Sequence, residues 1–407
     1  MAHVVIVGAG VVGCATAWAL VRAGHTVALV DRHAGPCRGA SMRNGAQLSY
    51  AYADALATPG LLAQLPRILA GRDPAFRLRL QADPEFLVWA LRFFANMRPS
   101  AFRDNTARLT RMAARTQALM PEIVADLDLV FDHAASGKMI LHADERSLAK
   151  ARENVALKSS LGMRLEVLDR AKANAIEPAL AHYRDPIAGV VYSPADAVGR
   201  PSAFCEGVVR ELTKRGKLEK RFGCEATGLV RRAGRAVGAL LNGGAPATGD
   251  AVVVATGYGL SRRGPFAPPF SAVWPVQGYS ATFPATAQAM ACSITDIKRK
   301  LVFARLGDKV RIAGIADIGR RDFAFVPERF DALLAGARAA FGAGFDHTFE
   351  DIEPWSEARP CTPSSSPLIG PTAIPGLWRN LGHGTLGWTL CLSSAEMLVE
   401  EMQAQLR

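Results

Sequence analysis

Paired cysteines are missing from this sequence. Its seven cysteines (Cys14, Cys37, Cys205, Cys224, Cys292, Cys361 and Cys391) stand singly, with no C-x-x-C spacing and an odd total. That argues against a disulfide framework and a zinc-type ligand set, so no metal is expected, and it points to a reducing, cytoplasmic setting. A long uninterrupted apolar run is missing too. Residues 4–21 carry no charge, but three glycines break the stretch and no basic segment precedes it, so it fits neither a secretory signal nor a membrane anchor. Acidic residues are fewer than basic ones, 37 against 48, for a formal charge of +11. The excess is mostly dispersed arginine with no visible RNA or DNA module, so no nucleic-acid partner is expected.

What is present starts at the first residues. His3 to Val7 is a branched apolar run that predicts a parallel strand buried on both faces. Gly8, Gly10 and Gly13 follow in G-x-G-x-x-G spacing around Val11 and Val12, and the small apolar run Cys14 to Ala23 predicts a helix that Gly24 closes. A second strand, Thr26 to Val30, delivers Asp31 and its neighbour Arg32. The first glycine permits the turn, the second lets backbone approach a pyrophosphate, and the third lets helix pack on strand. The helix N-terminus then points free N–H groups at phosphate, and Asp31 accepts the ribose hydroxyls. The pattern identifies a dinucleotide site and leaves NAD and FAD both open.

A glycine-, alanine- and serine-rich loop follows, long enough to imply function, with Ser41, Asn44, Gly45, Ala46, Gln47, Tyr50 and Tyr52 as candidate contacts. Leu61 to Leu127 is helical text punctuated by Pro74, Pro84, Pro99 and Pro121. Within it, a nearly all-apolar segment (Glu85 to Met97) precedes a helix with Arg108, Arg111 and Arg115 on one face. This pair suits a membrane surface or partner subunit, or simply a core helix beside a solvated one. Asp250 to Gly257 predicts another buried parallel strand ending at Thr256 and Gly257. Val276 to Phe283, Lys300 to Arg305 and Val310 to Asp317 predict an antiparallel second domain inserted into the first. At 407 residues two domains are expected.

Near the end, Gly382, His383, Gly384, Thr385, Leu386 and Gly387 form a second glycine loop before a helix that begins at Trp388 and Thr389. Only 20 residues follow Gly387, too few for the strand and acid of another nucleotide fold. A helix N-terminus here suits the negative charge of a reduced flavin, which favours FAD over NAD. Arg359, pinned by prolines in A-R-P-C-T-P, is suited to a substrate carboxylate. His383 matters more through its glycine-flanked backbone than as a base.

On VVIVGAGVVG, NGAQLSYAYA, IEPAL, PVQGYS, RIAGIADI, RPCTP and GHGTLGWT, the chain resembles the D-amino acid oxidase superfamily, and most closely its bacterial D-amino acid dehydrogenase branch. The resemblance implies an α/β fold, with a glutathione-reductase-like Rossmann FAD domain and a discontinuous mixed or antiparallel substrate domain. Boundaries are expected at 1–55, 145–185, 199–270 and 350–407 for the first, and at 56–144, 186–198 and 271–349 for the second. It implies FAD-dependent oxidation of a D-amino acid, or of a cyclic imino acid such as D-proline or D-hydroxyproline, with electrons passed to a quinone or other acceptor. Arg359 would hold the carboxylate, with Tyr50 and Tyr279 as weaker pocket candidates. The enzyme would be cytoplasmic or peripheral on the inner membrane. Rival readings are a flavin-bearing subunit of a hetero-oligomeric opine or hydroxyproline dehydrogenase, and a tRNA-modifying flavoprotein. The chain departs from the family pattern at Ser364-Ser365, Gln277 and Arg200.

Overall fold

The computed structural model describes residues 1–258, 264–286, 289–342 and 352–406. Its first sheet has six strands in the order Leu368–Pro371, Leu377–Leu381, Ala251–Val254, His3–Val7, Thr26–Asp31 and Leu218–Phe222. All are parallel except the first. His3–Val7 is central, and helices cover one face while a three-stranded meander over residues 226–248 covers the other, which explains its unbroken apolar text. The helical layer consists of Val11–Arg22, Pro201–Lys214 and Gly387–Leu406. Alanines 15, 17 and 19 let the first of these lie close to its neighbours. Gly24, at φ +89°, ends it by donating to the Val21 carbonyl.

The second sheet is mixed. Glu353–Cys361, Trp274–Pro284, Lys309–Ile318, Leu301–Leu306, Ser293–Asp296, Lys138–His142, Gly189–Ser193 and Glu166–Leu168 follow one another, and Phe76–Leu78 pairs with Lys309–Ile318. The helix Pro327–Phe341 and the segment around Leu180 and Tyr183 pack on one face. The other face looks toward the first sheet across a cavity.

Three expected divisions change. Most of residues 145–185, expected with the first domain, lies with the second sheet: Glu166–Leu168 pairs with Gly189–Ser193, and Leu168, Ala173 and Leu180 enter that core, while Met163 keeps to the first. Glu353–Cys361, also expected in the first domain, forms the edge strand beside Trp274–Pro284, because its backbone groups find their ladder there. The boundary expected between residues 349 and 350 lies outside the described residues. The long helix Pro99–Leu127, expected with the second domain, packs Leu119, Met120, Ile123 and Leu127 into the first core. Pro121 does not break it. A proline inside a helix costs about 3 kcal/mol, while burying each of those four apolar side chains contributes about 1.5–3 kcal/mol. Its arginine face is partly tied down, since Arg115 pairs with Glu396 at 2.5 Å and with Glu400.

Among the described residues no helix is long and apolar enough to cross a membrane. The packing of the long helix is testable. Ile123→Ala, at a site with no solvent exposure, should cost about 2–5 kcal/mol in chemical unfolding of the holoprotein. Val130→Ala, at an exposed position, should change stability by under about 0.5 kcal/mol.

Candidate active site

The first glycine loop is fixed by close contacts. A Cβ on Gly13 would stand 1.8 Å from the Gly8 carbonyl oxygen, and one on Gly8, at φ +110°, would stand 2.5 Å from the Ala255 oxygen. Asp31 Oδ2 accepts the Ala9 N–H at 2.7 Å, and Oδ1 accepts the His33 N–H at 2.9 Å. The carboxylate therefore holds the loop to the end of the second strand. Gly10 caps the first helix without a side-chain hydrogen bond of its own; the Val11 N–H reaches Ser41 Oγ at 3.4 Å, and the Val12 and Gly13 N–H groups point into the turn.

One cavity of about 840 Å³ runs from this loop to the second sheet. Every residue expected at the cofactor lines it except Gly13, which lies beneath the loop as the hinge of its close packing. The loop over residues 41–49 crosses between the sheets. Gln47 Nε2 donates to Ser293 Oγ at 2.5 Å, Ser280 Oγ donates to the Arg43 carbonyl at 2.6 Å, and the Ser49 N–H donates to Thr389 Oγ1 at 3.1 Å.

Arg359 lines the far end. Its Nη1 donates to the Ile315 carbonyl at 3.0 Å and Nη2 to the Gly314 carbonyl at 3.4 Å. No carboxylate of the described residues pairs with it, and burial pushes its pKa below the ordinary arginine range. Two local features make room for it. Gly278 lies where a Cβ would be 2.0 Å from Nη2. Opposite it the ladder slips between Gln277 and Tyr279, and Ile315 takes φ +62°, a conformation that a β-branched residue adopts only under constraint.

Tyr279 borders the same cavity, but its side chain packs into the second core against Phe325, with its hydroxyl toward the Val326 backbone. Tyr50 does not line it. Strand-like alternation turns Tyr50 into the first core and Tyr52 into the cavity. His383 lines it, but burial pushes its pKa down to about 3 and its Nε2 lies 2.9 Å from Ser394 Oγ, so it is a neutral ring. Gln277 points away, donating to the Ala324 carbonyl at 3.1 Å, and Arg200 pairs with Asp132 at 2.8 Å. Neither lines the cavity. Ser365 occupies a left-handed turn at φ +65° and accepts the Leu56 N–H at 2.8 Å. Lys138, which also lines the cavity, was legible only as a charge opening an apolar strand.

Known proteins resemble this chain along its whole length. The profile described as "FAD dependent oxidoreductase" (DAO) matches residues 3–401. The chain belongs to this family. Its members use FAD, and so does this oxidoreductase. "D-amino acid dehydrogenase 2" of Ralstonia nicotianae is 37% identical over 413 residues, covering 98% of this chain and 96% of that protein. "D-amino acid dehydrogenase 2" of Pseudomonas aeruginosa is 38% identical over 406 residues, covering 98% and 94%. Among solved structures, glycine oxidase from Geobacillus kaustophilus superposes with a TM-score of 0.73 at 17% identity, covering 99% of this chain and 95% of that one. L-proline dehydrogenase from P. horikoshii gives 0.71 at 14%, covering 99% and 93%. The site fits FAD: the uncapped first helix and the Gly10 approach suit the pyrophosphate, and the cavity continues to the second sheet.

Gly13→Ala should abolish FAD retention, read as the ratio of flavin to protein absorbance, because no shift of a flexible side chain relieves a 1.8 Å backbone contact. His383 makes a pH prediction. Its folded pKa of about 3 lies below the ordinary histidine value of 6.5, so the unfolded chain binds the proton more readily. Stability should fall as pH drops from 6.5 toward 3, and His383→Asn should flatten that part of the unfolding profile.

Proposed function

We propose that this chain dehydrogenates a D-amino acid, or a cyclic imino acid of the D-proline type, giving an imino acid that water hydrolyses to the 2-oxo acid. The observation that carries the reading is Arg359, a cavity guanidinium with no carboxylate of its own. The relatives named D-amino acid dehydrogenases support the substrate class. Bound FAD supplies the two-electron acceptor for cleavage of the Cα–H bond. Arg359 holds the substrate carboxylate through its remaining N–H groups. The apolar wall at Val302 and Ala313 excludes water, which disfavours the ammonium and leaves the amine neutral. The dehydrogenase relatives favour an acceptor other than oxygen.

That acceptor is reached at a lipid surface in this reading. Leu62, Leu69, Leu80, Leu87 and Leu91 are 48–71% exposed on two neighbouring helices and the segment between them. Residues 60–103 hold seven arginines and three acids. The acids are occupied, Asp73 by Lys300 and Asp83 and Glu85 by Arg321. An apolar ridge with a basic margin complements an anionic bilayer.

Anaerobic mixing with D-alanine, D-proline and D-hydroxyproline should bleach the visible flavin bands, whereas the L-forms should not; silence across a broad D-amino acid panel contradicts the reading. Gly278→Ala should retain FAD but raise KM about 10–100-fold by displacing the Arg359 guanidinium. Sedimentation with phosphatidylglycerol vesicles tests the ridge. Binding should weaken in Leu87→Ser/Leu91→Ser and in high salt, and absence of binding to any anionic vesicle removes the membrane assignment.

A further inference from the structure

Most cations of the cavity wall are neutralised within the protein. Arg43 pairs with Glu353 at 2.6 Å, Lys300 with Asp73 at 2.9 Å and Arg321 with Glu85 at 2.9 Å. Lys138, like Arg359, has no carboxylate of the described residues within ion-pairing distance. It opens the strand Lys138–His142, is 3% exposed, donates from Nζ to Ser49 Oγ at 2.7 Å and lies 4.9 Å from the centre of the Tyr52 ring. Lys158 sits 4.4 Å from the same ring but is neutralised by Asp54 at 2.7 Å. Asp196 is fully buried and its Oδ1 accepts the Ala51 N–H at 2.8 Å. Ser193 and Ser293 flank Lys138 on the adjacent strands.

Asp196 and Asp54 favour the ammonium from beyond ion-pairing distance but do not offset its burial, so Lys138 stays under-compensated unless an anion arrives from outside the chain. The substrate carboxylate is not that anion. The strand of Arg359 is five ladder steps from the strand of Lys138, about 24 Å across the sheet at the usual spacing, and one amino acid does not span both. The partner of Lys138 points elsewhere: the Ser49 N–H is bound to Thr389 in the first turn of the last helix. Ammonium and helix N-terminus therefore converge on the cavity at the end away from the first glycine loop.

We propose that Lys138 is a counter-charge for the reduced cofactor, favouring its anionic two-electron-reduced form over the oxidised form and so raising its reduction potential. This rests on the reading that the 382–389 loop faces the redox-active ring. Reduction brings the ring two electrons and one proton and leaves one negative charge. Lys138 supplies opposing charge and keeps its own proton. Burial pushes the Lys138 pKa down to about 8, among Ser49, Tyr52, Asp54, Lys158 and Asp196. Reduction raises that pKa again, so the potential should fall more steeply with rising pH around 8 than in a variant without the lysine.

The test is a reductive titration of the holoenzyme against reference dyes, with no substrate present, so that an incorrect substrate assignment leaves it unaffected. In Lys138→Met, binding of reduced relative to oxidised FAD should weaken about tenfold, which is a midpoint about 30 mV lower for a two-electron couple. Lys138→Arg should hold the midpoint near the original value, and Lys138→Met should lose the extra pH slope. An unchanged midpoint in Lys138→Met overturns the proposal, as does an equal fall in the Met and Arg variants. Should the Met variant release FAD, Lys138→Gln is read by the same criteria. Equal loss of oxidised and reduced FAD from both variants also overturns it, because the charge would then serve assembly alone.

Discussion

Arg359 carries a charge that its surroundings oppose, and much of the cavity is shaped by that fact. Its partners in the protein are the Ile315 and Gly314 carbonyls, which are neutral acceptors. To bring them there, the strand Lys309–Ile318 slips register and puts a β-branched residue at φ +62°, a conformation that costs on the order of 1–3 kcal/mol. Gly278 leaves out the Cβ that would occupy the guanidinium's place. Strain, a missing side chain and a missing carboxylate occur at one spot, the arrangement that the proposed substrate carboxylate would complete.

The rest of the fold carries the cavity from the first glycine loop to this point. The parallel sheet supplies a glycine loop and an uncapped helix, and the mixed sheet supplies Arg359 and Lys138. Neither forms the cavity alone. The loop over residues 41–49 joins them through the bonds of Gln47 to Ser293, Ser280 to Arg43 and Ser49 to Thr389. Arg311, buried and pushed down to about 10 by desolvation, adds a bond to Thr282 Oγ1 at 2.9 Å and a longer one to the Asn44 carbonyl at 3.4 Å.

Features that depend on local sterics were legible in the sequence. Gly8 and Gly13 are demanded by backbone contacts under 3 Å, and the apolar strands at His3 and Ala251 declare burial on both faces. Features set by distant partners were not. Three residues of Glu166–Leu168 carry no period that names their sheet, and a proline inside a helix held by four buried side chains reads as a break. A two-residue period marks Tyr50 and Tyr52 as possible neighbours of one face or another without saying which face is the cavity; the structure selects Tyr52. Lys138 shows only as an out-of-place charge until Ser49, itself tied to Thr389, and Tyr52 meet it.

The central claim is that Arg359 takes its counter-charge from the substrate carboxylate. A double-mutant cycle with the substrate as one partner tests it most directly: anaerobic flavin reduction by D-alanine and by D-alaninamide, in the parent enzyme and in Arg359→Met. The account predicts strong non-additivity, with the variant reduced equally slowly by both compounds, because the guanidinium and the carboxylate act through each other. If losing the carboxylate slows the variant as much as it slows the parent, the two effects are independent and Arg359 is not the anchor.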